Sequence, residues 1–196
     1  ILACVNDASS PLALAADVCL PIHAGAEATV STRTYLNMLA VNLLTAITIS
    51  GGDPSSVIPK LLSAAAAMEQ YLSNWQVHVA ELDARLGEVK DLVILGRGAS
   101  LAAVWNGSLI SKEAAKCAFE GMHAADFRHG PLELASPDLT VLMFEGVRQT
   151  ARLNRELALE VTRLGGRVLW LAQDADANLP TLRLPAVDEI ALPLVE

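Results

Sequence analysis

Residues 91–100 read DLVILGRGAS, and this stretch decides the fold. DLVILG is apolar without alternation, the mark of a strand covered on both faces rather than half-buried at a surface. RGAS is then a tight turn, and residues 100–118 carry helical spacing, so the order is strand, glycine-lined turn, helix. Downstream the alternation repeats. TVLMFEG (140–146) reads as a strand, 148–164 as an amphipathic helix closed by Gly165 and Gly166, RVLWLAQ (167–173) as a strand, and TLRLP (181–185) as a short one. Upstream, ILACVN and VCLPIH are β-type runs. A helix is predicted from Ser31 to Ile49, with Leu36, Leu39, Leu43, Leu44 and Ile47 spaced for one buried stripe. Residues 50–54, Ser-Gly-Gly-Asp-Pro, stop it, and 54–86 contains no β-run, only apolar positions at helical spacing that predict two connecting helices ended by Gly87. Strands alternating with helices predict an α/β protein with parallel, doubly wound sheets in a three-layer αβα sandwich.

A weak internal repeat refines the organisation. LACVNDASS, an apolar run and GAEATVS resemble VLWLAQDADA, LRLP and VDEIALP: strand, amide-Asp-Ala turn, loop, short strand, then an acid ahead of a helix. The first copy continues into the helix at 31–50, and the second reaches Glu196 where its helix would begin. The expected partition is therefore the end of one α/β domain at 1–50, a helical linker at 51–88, and most of a second domain at 89–196. With no initial methionine and a strand-like run at residue 1, the chain reads as a piece of a longer one.

The totals bound the function. At 196 residues and 53% apolar composition, the chain can fill a sizeable core. No apolar run approaches the roughly 18 to 20 residues of a membrane span, and the start lacks a signal-peptide pattern. Cys4, Cys19 and Cys117 are odd in number and sit in apolar segments, which predicts small core residues in a reducing, cytoplasmic compartment rather than metal ligands. With 22 acids against 14 bases the net charge is −8, so a nucleic-acid partner is disfavoured. A small anionic substrate, gripped at a helix N-terminus, is not.

Four segments carry candidate chemistry. In LGRGAS, Gly96, Gly98 and Ser100 follow a strand and open a helix, where backbone amides can meet a phosphate or sugar. Leu101 stands where a dinucleotide fingerprint needs a third glycine. Ordinary strand-to-helix geometry also accounts for the turn. In EATVSTRTY (27–35), Ser31, Thr32 and Thr34 start a helix beside Glu27 and Arg33, which is more polar equipment than capping needs. On the helix at 100–118, Lys112, Glu113, Lys116 and Glu120 fit a solvated face of ion pairs. The small apolar neighbours of Glu113 also suit a proton-transfer carboxylate. In FEGMHAADFRHGPLEL (119–134), His129 sits on a fixed Gly-Pro turn that can present an imidazole to a pocket, and it ranks above His123. His23 reads as a strand-end cap, and His78 has no assigned role.

GRGAS, SLISKEAAKCAFEGMHAADFRHGPLEL and HAGAEATVSTRTYLNML together resemble the sugar-isomerase (SIS) domain family, most closely the isomerase portion of the glucosamine-6-phosphate synthases and their relatives. The resemblance includes the 16-residue interval between Glu113 and His129. It implies tandem SIS domains, the first truncated, each a parallel sheet between helices, and a homodimer whose shared pocket takes a sugar phosphate. Neither metal nor organic cofactor is implied. Glu113 is then the carboxylate that moves a proton between C1 and C2. His129, acting from the neighbouring subunit, helps open the ring, and Val30, Ser31 and Thr32 line the substrate with Glu27 and Arg33 beside them. Where the synthases carry a lysine three residues before that glutamate, this chain has Ile110. The function implied is a phosphosugar isomerase or aminosugar-phosphate enzyme, of synthase or deaminase type, acting on fructose-6-phosphate or glucosamine-6-phosphate. A regulatory module that binds sugar phosphates without turnover is the alternative.

Overall fold

Apolar strands of the kind in residues 91–96 need helices on both sides, and the computed structural model, which describes residues 1–196, supplies them. The chain divides into two units, Ile1–Leu62 and Ser63–Glu196. In the first, β1 (Leu2–Val5) and β2 (Val18–Pro21) pair in parallel with Leu2 opposite Val18 and Val5 opposite Pro21. They are joined through the short helix α1 (Pro11–Ala15), whose start is capped by Ser10. Ala3, Val5 and Ala13 form a small core there. Helix α2 (Arg33–Ile49) follows, and α3 (Ile58–Leu72) crosses the division between the units.

The expected buried stripe on α2 is not formed in this unit. Leu36, Leu39, Leu43, Leu44 and Ile47 are all half-buried, and no residue of the helix is fully buried. A sheet of two strands is too narrow to cover a helix of 17 residues that is apolar over most of its circumference. Val41, Leu44 and Ile49 instead line an apolar groove of about 500 Å³ with Leu2, Val18 and Leu20. The cysteines also depart from expectation: Cys4, Cys19 and Cys117 are free and half-buried, because the layer over β1 and β2 is thin and Cys117 falls in a loop.

The second unit is built on a five-stranded, all-parallel sheet: β3 (Asp91–Gly96), β4 (Glu120–His123), β5 (Leu139–Phe144), β6 (Arg167–Ala172) and β7 (Thr181–Arg183), in the order β4-β3-β5-β6-β7. Two layers of helix cover it. On one face, Leu92 and Ile94 pack with Ala103 and Val104 of α5 (Leu101–Glu113) and with Leu82 and Leu86 of α4 (Trp75–Leu86). On the other, Val93, Leu95, Val141 and Trp170 pack with Phe127 of α6 (Ala124–Phe127) and with Leu157, Ala158 and Val161 of α7 (Arg148–Arg163). This is the three-layer αβα sandwich with a parallel, doubly wound sheet.

Two boundaries differ from the sequence reading. The helix expected at 100–118 ends at Glu113, where the chain turns through Lys116 at φ 57°. Residues 120–123, expected to be irregular, form β4, in register with β3 from Val93 opposite Glu120 to Gly96 opposite His123. EGMH carries no apolar run because Gly121 packs directly against Val104 and Ser108 of α5, Met122 alone joins the core on the other face, and Glu120 and His123 stand at the ends.

Candidate active site

In an open parallel sheet, ligands meet the carboxyl ends of the strands where the chain's winding direction reverses. Here that point lies between β3, which leads outward to β4, and β5, which leads the other way to β6 and β7. The loop after β3 is the GRGAS turn. Gly96 is buried, and a Cβ on it would lie 3.0 Å from Val104 Cγ2 and 3.2 Å from Ser100 Cβ, so its role is close packing of α5 on the sheet. Gly98 holds φ +59° at the exposed crest. Ser100 is buried and its hydroxyl donates to Glu196 Oε1 at 3.0 Å. The loop after β5 closes against it: a Cβ on Gly146 would come within 3.0 Å of Ser100 Oγ and 2.8 Å of Thr150 Oγ1. Asn154, fully buried on α7, fixes this second loop by donating from Nδ2 to the carbonyls of Phe144 and Glu145, each at 3.0 Å.

The open space lies one strand further along. A cavity of about 290 Å³ is bordered by Glu145, Gly146, Gln173, Glu189 and Glu196, with Leu171, Leu184 and Leu192 as apolar wall. Glu189 Oε1 accepts from the Arg148 N–H at 2.6 Å and so caps the start of α7. Burial pushes the Glu196 carboxyl up to about 7, with the Glu145 charge adding to the rise and the Ser100 hydroxyl opposing it. Glu145 is raised as well, by burial first and then by Asp174 and Asp176. Sequence reading missed these carboxylates, since no local pattern indicates that residues after β5, β6 and β7 share one cavity. No cluster of three or more His, Cys, Asp or Glu has the geometry of a metal site.

Glu113 and His129 bracket β4. Glu113 is the last residue of α5, seven positions before Glu120 opens the strand, and His129 lies six positions after His123 closes it, on the turn 128–130. The two residues therefore flank opposite ends of a strand about 13 Å long. Both are exposed. The Glu113 carboxylate takes no part in the ion pairs expected on this helix: the Lys116 ammonium donates to the main-chain oxygen of Glu113 at 2.6 Å, and Lys112 Nζ donates to Ser108 Oγ at 2.9 Å. The His129 N–H donates to the Asp126 carbonyl at 2.9 Å, which sets the turn, and Gly130 follows at φ +135°. His123 caps α6 by accepting from the Ala125 N–H at Nδ1.

In the first unit, Glu27 organises the hydroxyl-rich segment. Its carboxylate accepts from the N–H groups of Thr32, Arg33 and Thr34 at 2.9, 2.6 and 3.0 Å and from Ser31 Oγ at 2.9 Å. A hydrogen bond from Thr34 is the largest influence; with those from Arg33 and Ser31 it outweighs the opposing effect of burial and holds the carboxyl at about 2. Arg33 also donates to the Ala26 carbonyl, and Val30 is half-buried in the bend before Ser31. Thus Glu27, Ser31, Thr32 and Arg33 form one cluster at the start of α2. The repeat seen in sequence has a structural counterpart. Asn6 after β1 donates to the Gly25 carbonyl and accepts from Ala24 N, while Gln173 after β6 donates to the Val187 carbonyl.

The strand order and the loops at the reversal point place the second unit among the doubly wound α/β proteins whose ligand-facing loops lie at the carboxyl edge. The profile of the SIS domain matches residues 86–192, and the chain belongs to the SIS domain family. Over 98% of its length it is 30% identical to a glutamine–fructose-6-phosphate aminotransferase [isomerizing] of Rhizobium meliloti, of which it spans 34%. Among solved structures, a Silicibacter pomeroyi protein provisionally described as a phosphosugar isomerase superimposes with TM-score 0.82 at 25% identity, over 98% of this chain and 58% of that one. The C-terminal domain of glucosamine-fructose-6-phosphate aminotransferase from Francisella tularensis shares the fold with TM-score 0.81 at 17% identity, covering 99% of this chain and 58% of that one. No helix is long and apolar enough to cross a membrane.

Proposed function

We propose that the protein containing this chain is a cytoplasmic phosphosugar isomerase or aminosugar-phosphate enzyme that moves a proton between C1 and C2 of fructose-6-phosphate or glucosamine-6-phosphate. The observation that carries the reading is the pair Glu113 and His129, exposed at opposite ends of one edge strand, in a chain of the SIS family. Aldose–ketose exchange breaks a C–H bond beside the carbonyl: the base takes the proton, the electron pair forms the C1–C2 double bond of an enediol as the carbonyl oxygen gains a proton, and the base then returns its proton to the neighbouring carbon as the other hydroxyl gives one up. Glu113, free of ion pairs, is the base, and His129 protonates the ring oxygen as the ring opens. Because one chain separates the two groups, His129 serves the site of a second copy in a homodimer. In the first unit Glu27, Val30, Ser31, Thr32 and Arg33 contact the substrate; in the second, Gly98 does so at the exposed crest of the turn after β3, with the buried Gly96 and Ser100 shaping that turn from beneath. The chain is read as tandem SIS domains, the end of one at 1–50 and most of another at 89–196, joined by a helical linker. No cofactor enters this chemistry.

The test incubates full-length protein with glucosamine-6-phosphate and with fructose-6-phosphate and follows interconversion and ammonia. Glu113→Gln and His129→Ala are each expected to lower kcat by about 100-fold or more, the scale of a lost general acid or base. Turnover unchanged in both variants removes these residues from the mechanism. Saturable binding without turnover in the unaltered protein favours a regulatory sugar-phosphate module.

A further inference from the structure

Thr140, the second residue of β5, is a polar side chain inside the sheet. It is 2% exposed, and its Oγ1 is sealed from solvent with no hydrogen-bond partner. An unused buried hydroxyl is costly, and valine would fill the same space without that cost. Side chains of β5 alternate: Val141 and Met143 face α6 and α7, whereas Leu142 and Phe144 face the α4–α5 layer, so Thr140 belongs to the latter face. Its register partner on β6 is Arg167, one strand spacing away on the same face. Both border a cavity of about 330 Å³ at the amino edge of the sheet, walled by Leu86, Leu169 and Pro180. The two charged side chains on that wall, Arg85 and Arg167, are both cationic. Arg85 is matched by Glu81, which accepts from its Nε and Nη2 at 3.0 and 2.8 Å. Arg167 is held instead by main-chain carbonyls at and just beyond the end of α4, those of Glu88 at 2.9 Å, Arg85 at 3.3 Å and Leu86. These contacts fix its guanidinium but bring it no full negative charge.

We propose that this cavity is a binding site for a small monocarboxylate with an apolar body, either a single ring or a short branched chain. One carboxylate oxygen accepts from Thr140 Oγ1 and the charge faces Arg167, while the body packs on Leu86, Leu169 and Pro180. An uncharged apolar molecule would leave the hydroxyl unused and the arginine unmatched, and a sugar would set its own hydroxyls against an apolar wall. The site goes beyond the sugar-phosphate reading and does not rest on it. The six residues of β5 span about 20 Å, so the amino edge is a full strand length from the loops at the carboxyl edge.

Methyl-detected NMR of the full-length protein, titrated with benzoate, isovalerate and uncharged benzyl alcohol, tests the site. Saturable shifts are expected at the methyls of Leu86, Leu169 and Thr140 with at least one acid, and the tighter of the two acids distinguishes a ring from a branched chain. Benzyl alcohol should bind about tenfold or more weakly than that acid, and Thr140→Val should weaken the acid by about tenfold, the scale of one hydrogen bond to a charged group. The denaturation midpoint of Thr140→Val should not fall, so that lost binding is not lost fold. A lowered midpoint would mean that the hydroxyl already serves the fold, and it overturns the proposal. So does the absence of saturable shifts at these methyls with either acid, equal affinity for the alcohol, or acid binding unchanged in Thr140→Val. Displacement of the acid by fructose-6-phosphate would put it at the carboxyl edge and overturn the proposal as well, whereas binding that persists in the presence of the sugar phosphate supports it whether or not the protein turns that sugar over.

Discussion

A methyl group on Gly121 would come to 2.7 Å from the Val104 main-chain oxygen and 3.0 Å from Ser108 Cβ. Glycine therefore lets α5 lie directly on the edge strand that separates Glu113 from His129. Gly121→Ala should destabilise the second unit by about 1–3 kcal/mol through overpacking, seen as a lower denaturation midpoint with an unchanged denaturant slope. The buried carboxyl of Glu196 makes a second prediction. A carboxyl raised to about 7 in the fold stabilises it while protonated, and that contribution is lost as pH rises from the unfolded value through about 7. Stability of the unaltered protein should therefore fall over that window more steeply than stability of Glu196→Gln. At this scale the sequence was legible where a residue's role is local, as with the Gly98 turn. It was silent where the role depends on a distant partner: nothing near Ser100 in the chain announces Glu196.

The start of α2 shows the same contrast at the level of an element. Three hydroxyls beside an acid were read as more than a cap, and the acid itself proves to be the cap, reaching across from Glu27 to the N–H groups of Thr32, Arg33 and Thr34. Its carboxyl is depressed to about 2, so the stabilisation is present above the unfolded value near 4.5 and is lost as pH falls toward about 2. Glu27→Gln should flatten that acid limb, as measured by helix content against pH, and should loosen the loop 27–32. Apolar strands β3, β5 and β6 and the helices between them followed from composition and period alone. β4 did not, because an edge strand of Glu, Gly, Met and His lacks the apolar run by which the others are known. The overlong reading of α5 has a similar cause: Ala114, Ala115 and Ala118 favour helix locally, and only the entry of the next strand ends it.

For the whole molecule, the proposed function makes assembly a condition for activity, because Glu113 and His129 lie at opposite ends of β4. In a homodimer whose sites each draw Glu113 from one copy and His129 from the other, an equal mixture of Glu113→Gln and His129→Ala proteins, dissociated and reassociated, contains hybrids with one intact site. Activity should return to about a quarter of the unaltered level. A mixture as inactive as its parents would place both residues in the same copy's site. The core that supports this arrangement also contains its own optical probe. Trp170, in the central layer between β5 and β7, is 1% exposed, whereas Trp75 and Trp105 are each 53% exposed. Of the three indoles, Trp170 alone passes from a dry to a wet environment when the sheet comes apart. The red shift of tryptophan emission during denaturation thus reports mainly on the sheet interior, and it can time the loss of that layer without an added dye.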